Sequence, residues 1–187
     1  MNMRNLIVFS LLSLFMGLFL VLAFSLAGSG GVPQSMGVNN SFGEIKIKRM
    51  VAPDFSLDLY DDREIRLSEL RGNVVVLDFW SSWCSPCRKE AAVLAEVYLE
   101  YRDKGVVFLG ISIWDRDEDA LAHIEEFDVQ YPSGPDSKGE ILVEYGVTGI
   151  PEKVFIDQRG NKVRKFTGPS TKDELVAILD DMLGSGY

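Results

Sequence analysis

Cysteine and histidine are the scarcest reactive residues in this chain of 187: two of the first, Cys84 and Cys87, and one of the second, His123. Two cysteines cannot make a disulfide scaffold, which is short and cysteine-dense. A structural zinc site usually wants four nitrogen or sulfur ligands. Two thiols and one imidazole would have to recruit carboxylates, so the metal reading is poor and no metal is expected. Positive charge is also short, with 19 Lys and Arg against 28 Asp and Glu and a formal net charge of −9. A basic face able to neutralise several phosphates is not visible, which argues against a nucleic-acid partner. The acidic balance favours solubility without naming a partner. No internal repeat is seen. With 47% hydrophobic residues, the chain can bury a core of ordinary size.

One stretch has no charge at all. LIVFSLLSLFMGLFLVLAFSLA, Leu6 to Ala27, follows only Arg4 and the amino terminus, and the next charge is Glu44. A hydrocarbon core of about 30 Å needs roughly 20 helical residues, so residues 1–27 read as a single-pass membrane anchor. The small residues of SLAGSG, Ser25 to Gly30, also fit a cleaved signal peptide, but the apolar run exceeds the usual length of about 7–15. In the first case the domain is tethered on the extracytoplasmic side of the cell membrane; in the second it is secreted or periplasmic. Residues 28–43, rich in Gly, Ser and Asn, read as a flexible linker, and 44–187 as the domain.

Within the domain, FSLDLYDDREIRLSEL (Phe55 to Leu70) alternates around Asp61-Asp62 and predicts a hairpin. NVVVLDFW (Asn73 to Trp80) is the nearly continuous apolar run of a strand covered on both faces. RKEAAVLAEVYLEYR follows with helical spacing, then a second buried strand, GVVFLGISIW (Gly105 to Trp114). DEDALAHIEEF predicts a helix with Leu121, Ile124 and Phe127 on one stripe. SKGEILVEYGV predicts a short helix, and KVFIDQRGNKVRKFTG a hairpin turning at Gln158 to Asn161. The last helix, TKDELVAILDDML, has Thr171 as N-cap and Glu174 completing a capping box. These elements predict one α/β domain with a mixed sheet.

The cysteines lie in LDFWSSWCSPCRKEAA, Leu77 to Ala92, where a buried strand gives way to a helix. A disulfide between residues three apart closes a tiny loop and is a weak staple. The start of a helix, however, offers free N–H groups and a positive dipole end, which favour a thiolate. Cys84 is expected to be the exposed nucleophile and Cys87, one turn in, the resolving thiol. Pro86 restricts the turn, and Trp83 would shield the pair on one side. A C-x-x-C at a β-α junction reads as a redox pair.

VVVLDFWSSWCSPC resembles the active-site strand and motif of the thioredoxin fold. APDFSLDLYDDREIRLSELRGNVVVLDFW and YGVTGIPEKVFIDQRGNKV resemble the exported, membrane-tethered branch known as TlpA, ResA and CcmG proteins, across about residues 50 to 184. The resemblance implies a thioredoxin-like α/β fold, a central mixed sheet flanked by helices with an added N-terminal β-hairpin. It implies a Cys84–Cys87 redox disulfide and no bound cofactor. Pro151 matches the cis-proline that faces the disulfide, which would leave the Ile150 backbone free to pair with a substrate strand. Glu152 matches an acidic residue near the active site of the cytochrome c maturation members; its plainer reading is an exposed carboxylate at a strand start. Asp78, six residues before Cys84, matches the buried aspartate of thioredoxins, where the tethered branch more often has asparagine. A carboxylate buried there should have a raised pKa suited to proton transfer.

The activity implied is reduction of client-protein disulfides, with apocytochrome c as the expected client and a membrane thiol-electron transporter of the CcdA or DsbD kind as the electron donor. A disulfide-forming oxidase or general exported thioredoxin is the alternative, since direction depends on redox poise. A peroxidase fits less well, because Ser81 and Leu77 stand where peroxiredoxins have Thr and Pro. A non-enzymatic thiol or copper chaperone remains a further alternative. Asp115, Asp117, Asp119 and Glu126 have calcium-loop spacing, but Ala120 stands where such a loop needs Gly, and acidic residues at a helix start are explained by the dipole.

Overall fold

The computed structural model describes residues 3–27, 37–39 and 42–184. The chain divides into two compact units, Met1–Met36 and Gly37–Tyr187. The first holds α1 (Met3–Ala27), almost wholly apolar in sequence. Among the described residues no helix is long and apolar enough to cross a membrane; the part of α1 with described side chains, 9–21, falls short of the roughly 20 residues a bilayer needs. The remainder of the expected anchor, and most of the expected linker, lie outside the described side chains.

The second unit is built on a six-stranded mixed sheet. Its strands are β1 (Gly43–Val51), β4 (Val74–Trp80), β5 (Val106–Ser112), β6 (Ser133–Pro135), β7 (Glu152–Ile156) and β8 (Asn161–Thr167), in the order β1-β8-β7-β4-β5-β6. Between β1 and β4, strands β2 (Ser56–Asp58) and β3 (Glu64–Arg66) form the predicted hairpin as a separate pair, with Asp62 in the left-handed region at φ +64. Helices α2 (Ser85–Tyr101), α3 (Asp117–Glu126), α4 (Glu140–Glu144) and α5 (Lys172–Gly184) complete the domain. This is the expected thioredoxin-like architecture.

All seven residues of β4 are buried, because it lies inside the sheet and both faces are covered. Val74 and Val76 pack with Leu94 and Val97 of α2 and Leu175 and Leu179 of α5. Val75, Leu77 and Phe79 point the other way, into a core shared with Leu57, Ile111 and Tyr145. This alternation places Asp78 on the same face as Val74 and Val76. The capping box of α5 is present, with the Thr171 N–H donating to Glu174 Oε2 at 2.8 Å and the Glu174 N–H to Thr171 Oγ1 at 3.4 Å.

Two sequence expectations change. On α3 the buried residues are Ala120 and His123, whereas Leu121 is exposed. The helix turns its face toward Trp80, whose ring stacks on His123 at 4.5 Å, so the small and aromatic positions are covered. Strands β1 and β6 were also not expected: β1 is polar on alternate positions and pairs only with β8, and β6 is three residues long.

Candidate active site

The cysteine turn begins where β4 ends. Ser81 Oγ donates to the Ile113 carbonyl, and the Ser82 N–H and hydroxyl donate to the Asp115 carboxylate at 2.5 and 2.7 Å. These bonds fix the turn against the end of β5, and Cys84 becomes the N-cap of α2. Cys84 and Cys87 are joined as a disulfide with Cα atoms 5.2 Å apart. The Cys87 N–H donates to Cys84 Sγ at 3.3 Å, so a helix-start N–H is aimed at the sulfur that would carry charge as a thiolate. Pro86 occupies the first turn of α2, where its missing N–H leaves no helical bond unmade.

The expected exposure of Cys84 is not found: it is 1% exposed and Cys87 2%. The turn folds both sulfurs into the core that contains Phe79 and Ile150. Trp83 stays 39% exposed, and its Nε1–H donates to the Trp114 carbonyl at 2.9 Å. The Trp83 indole is thus tied to the Trp114 backbone immediately before the first cysteine.

The Ile150–Pro151 bond is cis. Glu152 lies opposite Phe79 in the β4–β7 register, which brings Pro151 level with the end of β4 and the turn that carries the cysteines. The Ile150 backbone is not free, contrary to expectation. Its N–H donates to the Gly37 carbonyl at 2.6 Å, and its carbonyl accepts from the Asn39 N–H at 3.0 Å. Glu152 is not the exposed strand-start carboxylate of its plainer reading. It is fully buried on the opposite face of the sheet, paired with Lys165 Nζ at 2.7 Å, and burial pushes its carboxyl up.

One helical turn along α2 from Cys87 begins a buried charged cluster that includes groups the sequence did not single out. Asp78 and Lys153 are direct cross-strand partners on β4 and β7. Lys153 Nζ, fully buried, donates to Glu90 Oε2 at 2.5 Å and to the Gly168 carbonyl at 2.8 Å. Glu90 stands one helical turn after Cys87 on the same buried face of α2, and its Oε2 also accepts from the Ser170 N–H and hydroxyl. Tyr131 O–H donates to Asp78 Oδ2 at 3.0 Å. Burial, aided by the Glu90 charge, pushes Asp78 up to about 7, against the pull of Lys153 and Tyr131. Asp78 Oδ1 is buried without a hydrogen-bond partner, and a buried acceptor without a donor favours holding a proton. One signal for Glu90 was available, its three-residue spacing from Cys87. Lys153 follows Glu152 at the start of an otherwise apolar strand, and nothing local in the sequence distinguishes it.

His123 takes no part in this group. It is buried between Trp80 and Phe127, and desolvation lowers it to about 4, so it is neutral at ordinary pH. Arg88, just after Cys87, is held by Glu126 at 2.6 Å and lies over Phe127.

Comparison with known proteins agrees with this geometry. The model of the AhpC/TSA family matches residues 49–165. Thiol-disulfide oxidoreductase ResA of Bacillus thuringiensis subsp. konkukian (strain 97-27) is 32% identical over 128 residues, which cover 68% of this chain and 74% of that protein. A crystal structure from Chlorobium tepidum, assigned as the thiol:disulfide interchange protein DsbE, superposes with a TM-score of 0.69 at 30% identity, covering 75% of this chain and 100% of that one. The thioredoxin domain of a thiol-disulfide oxidoreductase from Bacteroides vulgatus superposes with a TM-score of 0.64 at 28% identity, covering 72% and 96%.

Proposed function

Since the chain belongs to the AhpC/TSA family, is similar in sequence to ResA and has the thioredoxin-like fold, we propose that it reduces disulfides in apocytochrome c. It is a thiol–disulfide oxidoreductase acting on disulfide-containing proteins. Cytochrome c maturation is the finer reading, supported by the likeness to ResA and to a protein assigned as DsbE, and by the resemblance of its GIPEK segment to the maturation branch. A membrane donor of the CcdA or DsbD kind would return the electrons. The uncharged run from Leu6 to Ala27 supports a tether to the extracytoplasmic face of the membrane.

The observation that carries the chemistry is the N–H of Cys87 directed at Cys84 Sγ at the start of α2. In the reduced protein the Cys84 thiolate attacks one sulfur of the client disulfide. A mixed disulfide forms and the first client sulfur leaves as a thiolate. Cys87 then loses its proton to the Asp78 carboxylate and attacks Cys84 Sγ, which expels the second client thiolate. The client gains two electrons, and the protein is left as the Cys84–Cys87 disulfide seen in the structure. With its carboxyl held near 7, Asp78 can accept and return that proton near neutrality.

The test is the reduction potential of the Cys84–Cys87 couple, read from Trp fluorescence in a thiol redox buffer. A dedicated reductant should lie at or below the thioredoxin level of about −270 mV, whereas a value near the about −120 mV of a strong exported oxidase would overturn the reductive reading.

A further inference from the structure

The strand-pairing groups beside the disulfide are already occupied by the chain itself. Gly37, Val38 and Asn39 run parallel to Ile150 and form a one-residue bridge, Val38 to Ile150. Four hydrogen bonds hold this strap. Two link the backbone of Gly37 and Asn39 to Ile150, and two run from Asn39 Nδ2 to the carbonyls of Gly149 and Pro151, at 2.8 Å each. All four end on residues 149–151, level with the cysteine turn. At Gly37 the strap also approaches the Trp114 indole. A Cβ at residue 37 would stand 2.6 Å from Trp114 Cζ3 and would need φ near +89, so only glycine fits. Trp114 itself holds φ +51, rare for a bulky residue, while its carbonyl anchors Trp83 next to Cys84.

A thiol-exchange enzyme needs a sulfur that its partner can reach, yet both sulfurs here are almost completely covered. A polypeptide client offers an extended segment with free N–H and C=O groups, and such segments bind by adding to exposed backbone edges. The backbone edge beside Pro151 is the one that the strap fills.

We propose that residues 37–39 are a resident occupant of the client-docking groove, bounded by the Ile150 backbone and the Trp114 indole, and that an extended client segment must displace them. The groove favours a residue without a side chain opposite Trp114, as Gly37 supplies. The proposal rests on the thiol–disulfide exchange reading and adds a competition to it. A small disulfide has no strand to pair and does not engage this competition.

The experiment uses the full-length reduced protein in single-turnover reactions with insulin and, separately, with oxidised glutathione. Asn39→Pro removes the N–H to Ile150 and both side-chain bonds; Gly37→Ala pushes the strap off Trp114. One hydrogen bond lost is worth roughly fivefold, so the three lost in Asn39→Pro should raise the insulin rate by at least about fivefold, with the glutathione rate unchanged, and Gly37→Ala should move the ratio in the same direction. An unchanged ratio in both variants overturns the proposal. So does an equal rise on both substrates, which would make the strap a shield over the sulfur alone. A fall on both substrates in both variants would make the strap a structural support and also overturn it. A wild-type protein inert toward both substrates would instead sink the exchange reading itself.

Discussion

Replacing Asp78 by Asn should make the oxidised protein more stable, by an amount that grows as pH rises. The carboxyl is buried on β4 and held near 7 from an ordinary 3.8. Below about pH 4 both folded and unfolded chains keep the proton. Between there and pH 7 the unfolded chain releases it while the folded chain retains it, so wild-type stability falls as pH rises through this window. Above pH 7 the folded chain carries the charge, and the loss levels off. Raising a carboxyl this far costs at most about 4 kcal/mol once it is ionised, a figure that already contains the opposing effects of Glu90 and Lys153. Asparagine has no proton to lose and escapes the penalty. Thermal melts of the two proteins should therefore nearly coincide near pH 4 and separate by up to roughly 8–16 °C at pH 8, given about 2–4 °C per kcal/mol for a domain of this size. A gap that is constant with pH, or that narrows as pH rises, would refute the placement of Asp78 as a buried acid in the protein.

The surrounding groups make three further predictions. Lys153→Met leaves the Glu90 carboxylate buried beside Asp78 without its cation and should cost about 3–5 kcal/mol in denaturant melts. Adding Glu90→Gln, which removes the stranded charge, should recover most of that loss. Tyr131→Phe removes the donor to Asp78 Oδ2 and should cost about 1 kcal/mol, while shifting the Asp78 inflection in the pH–rate profile of the resolving step to higher pH. Thr171→Ala removes the hydroxyl of the α5 capping box and should lower stability by about 1 kcal/mol without changing the rate of insulin reduction.

The sequence was most legible where a pattern is local and long. The apolar run of β4, the hairpin at Asp61–Asp62 and the capping box of α5 all formed as their residues predict. Patterns that depend on a partner were not legible. Leu121 is as apolar as Ile124, but which face of α3 is covered was decided by Trp80, which sits on His123. Glu90 and Lys153 are ordinary charges until the β4–β7 register sets Lys153 across from Asp78 and α2 lowers Glu90 onto both. The strap reads as linker from its Gly and Asn content, because three residues making one bridge carry no periodicity at all.

Asp78 and Lys153 also show why the missed residues matter to the one that was expected. Alone in this strand, a carboxylate would be so costly to ionise that it could not serve as a base near neutrality. Lys153 alone would do the opposite and hold the carboxyl ionised well below neutrality. Glu90 spends most of the lysine's field, since it is in direct contact with Nζ while Asp78 is not. With Asp78 protonated, the buried cluster of Glu90, Lys153 and Asp78 is neutral; with Asp78 ionised, it carries one uncompensated negative charge. The carboxyl is thereby left between the two extremes, near 7, the range that the proposed proton exchange with Cys87 would use. The six-residue spacing between Asp78 and Cys84 locates the group, but its working range belongs to the trio.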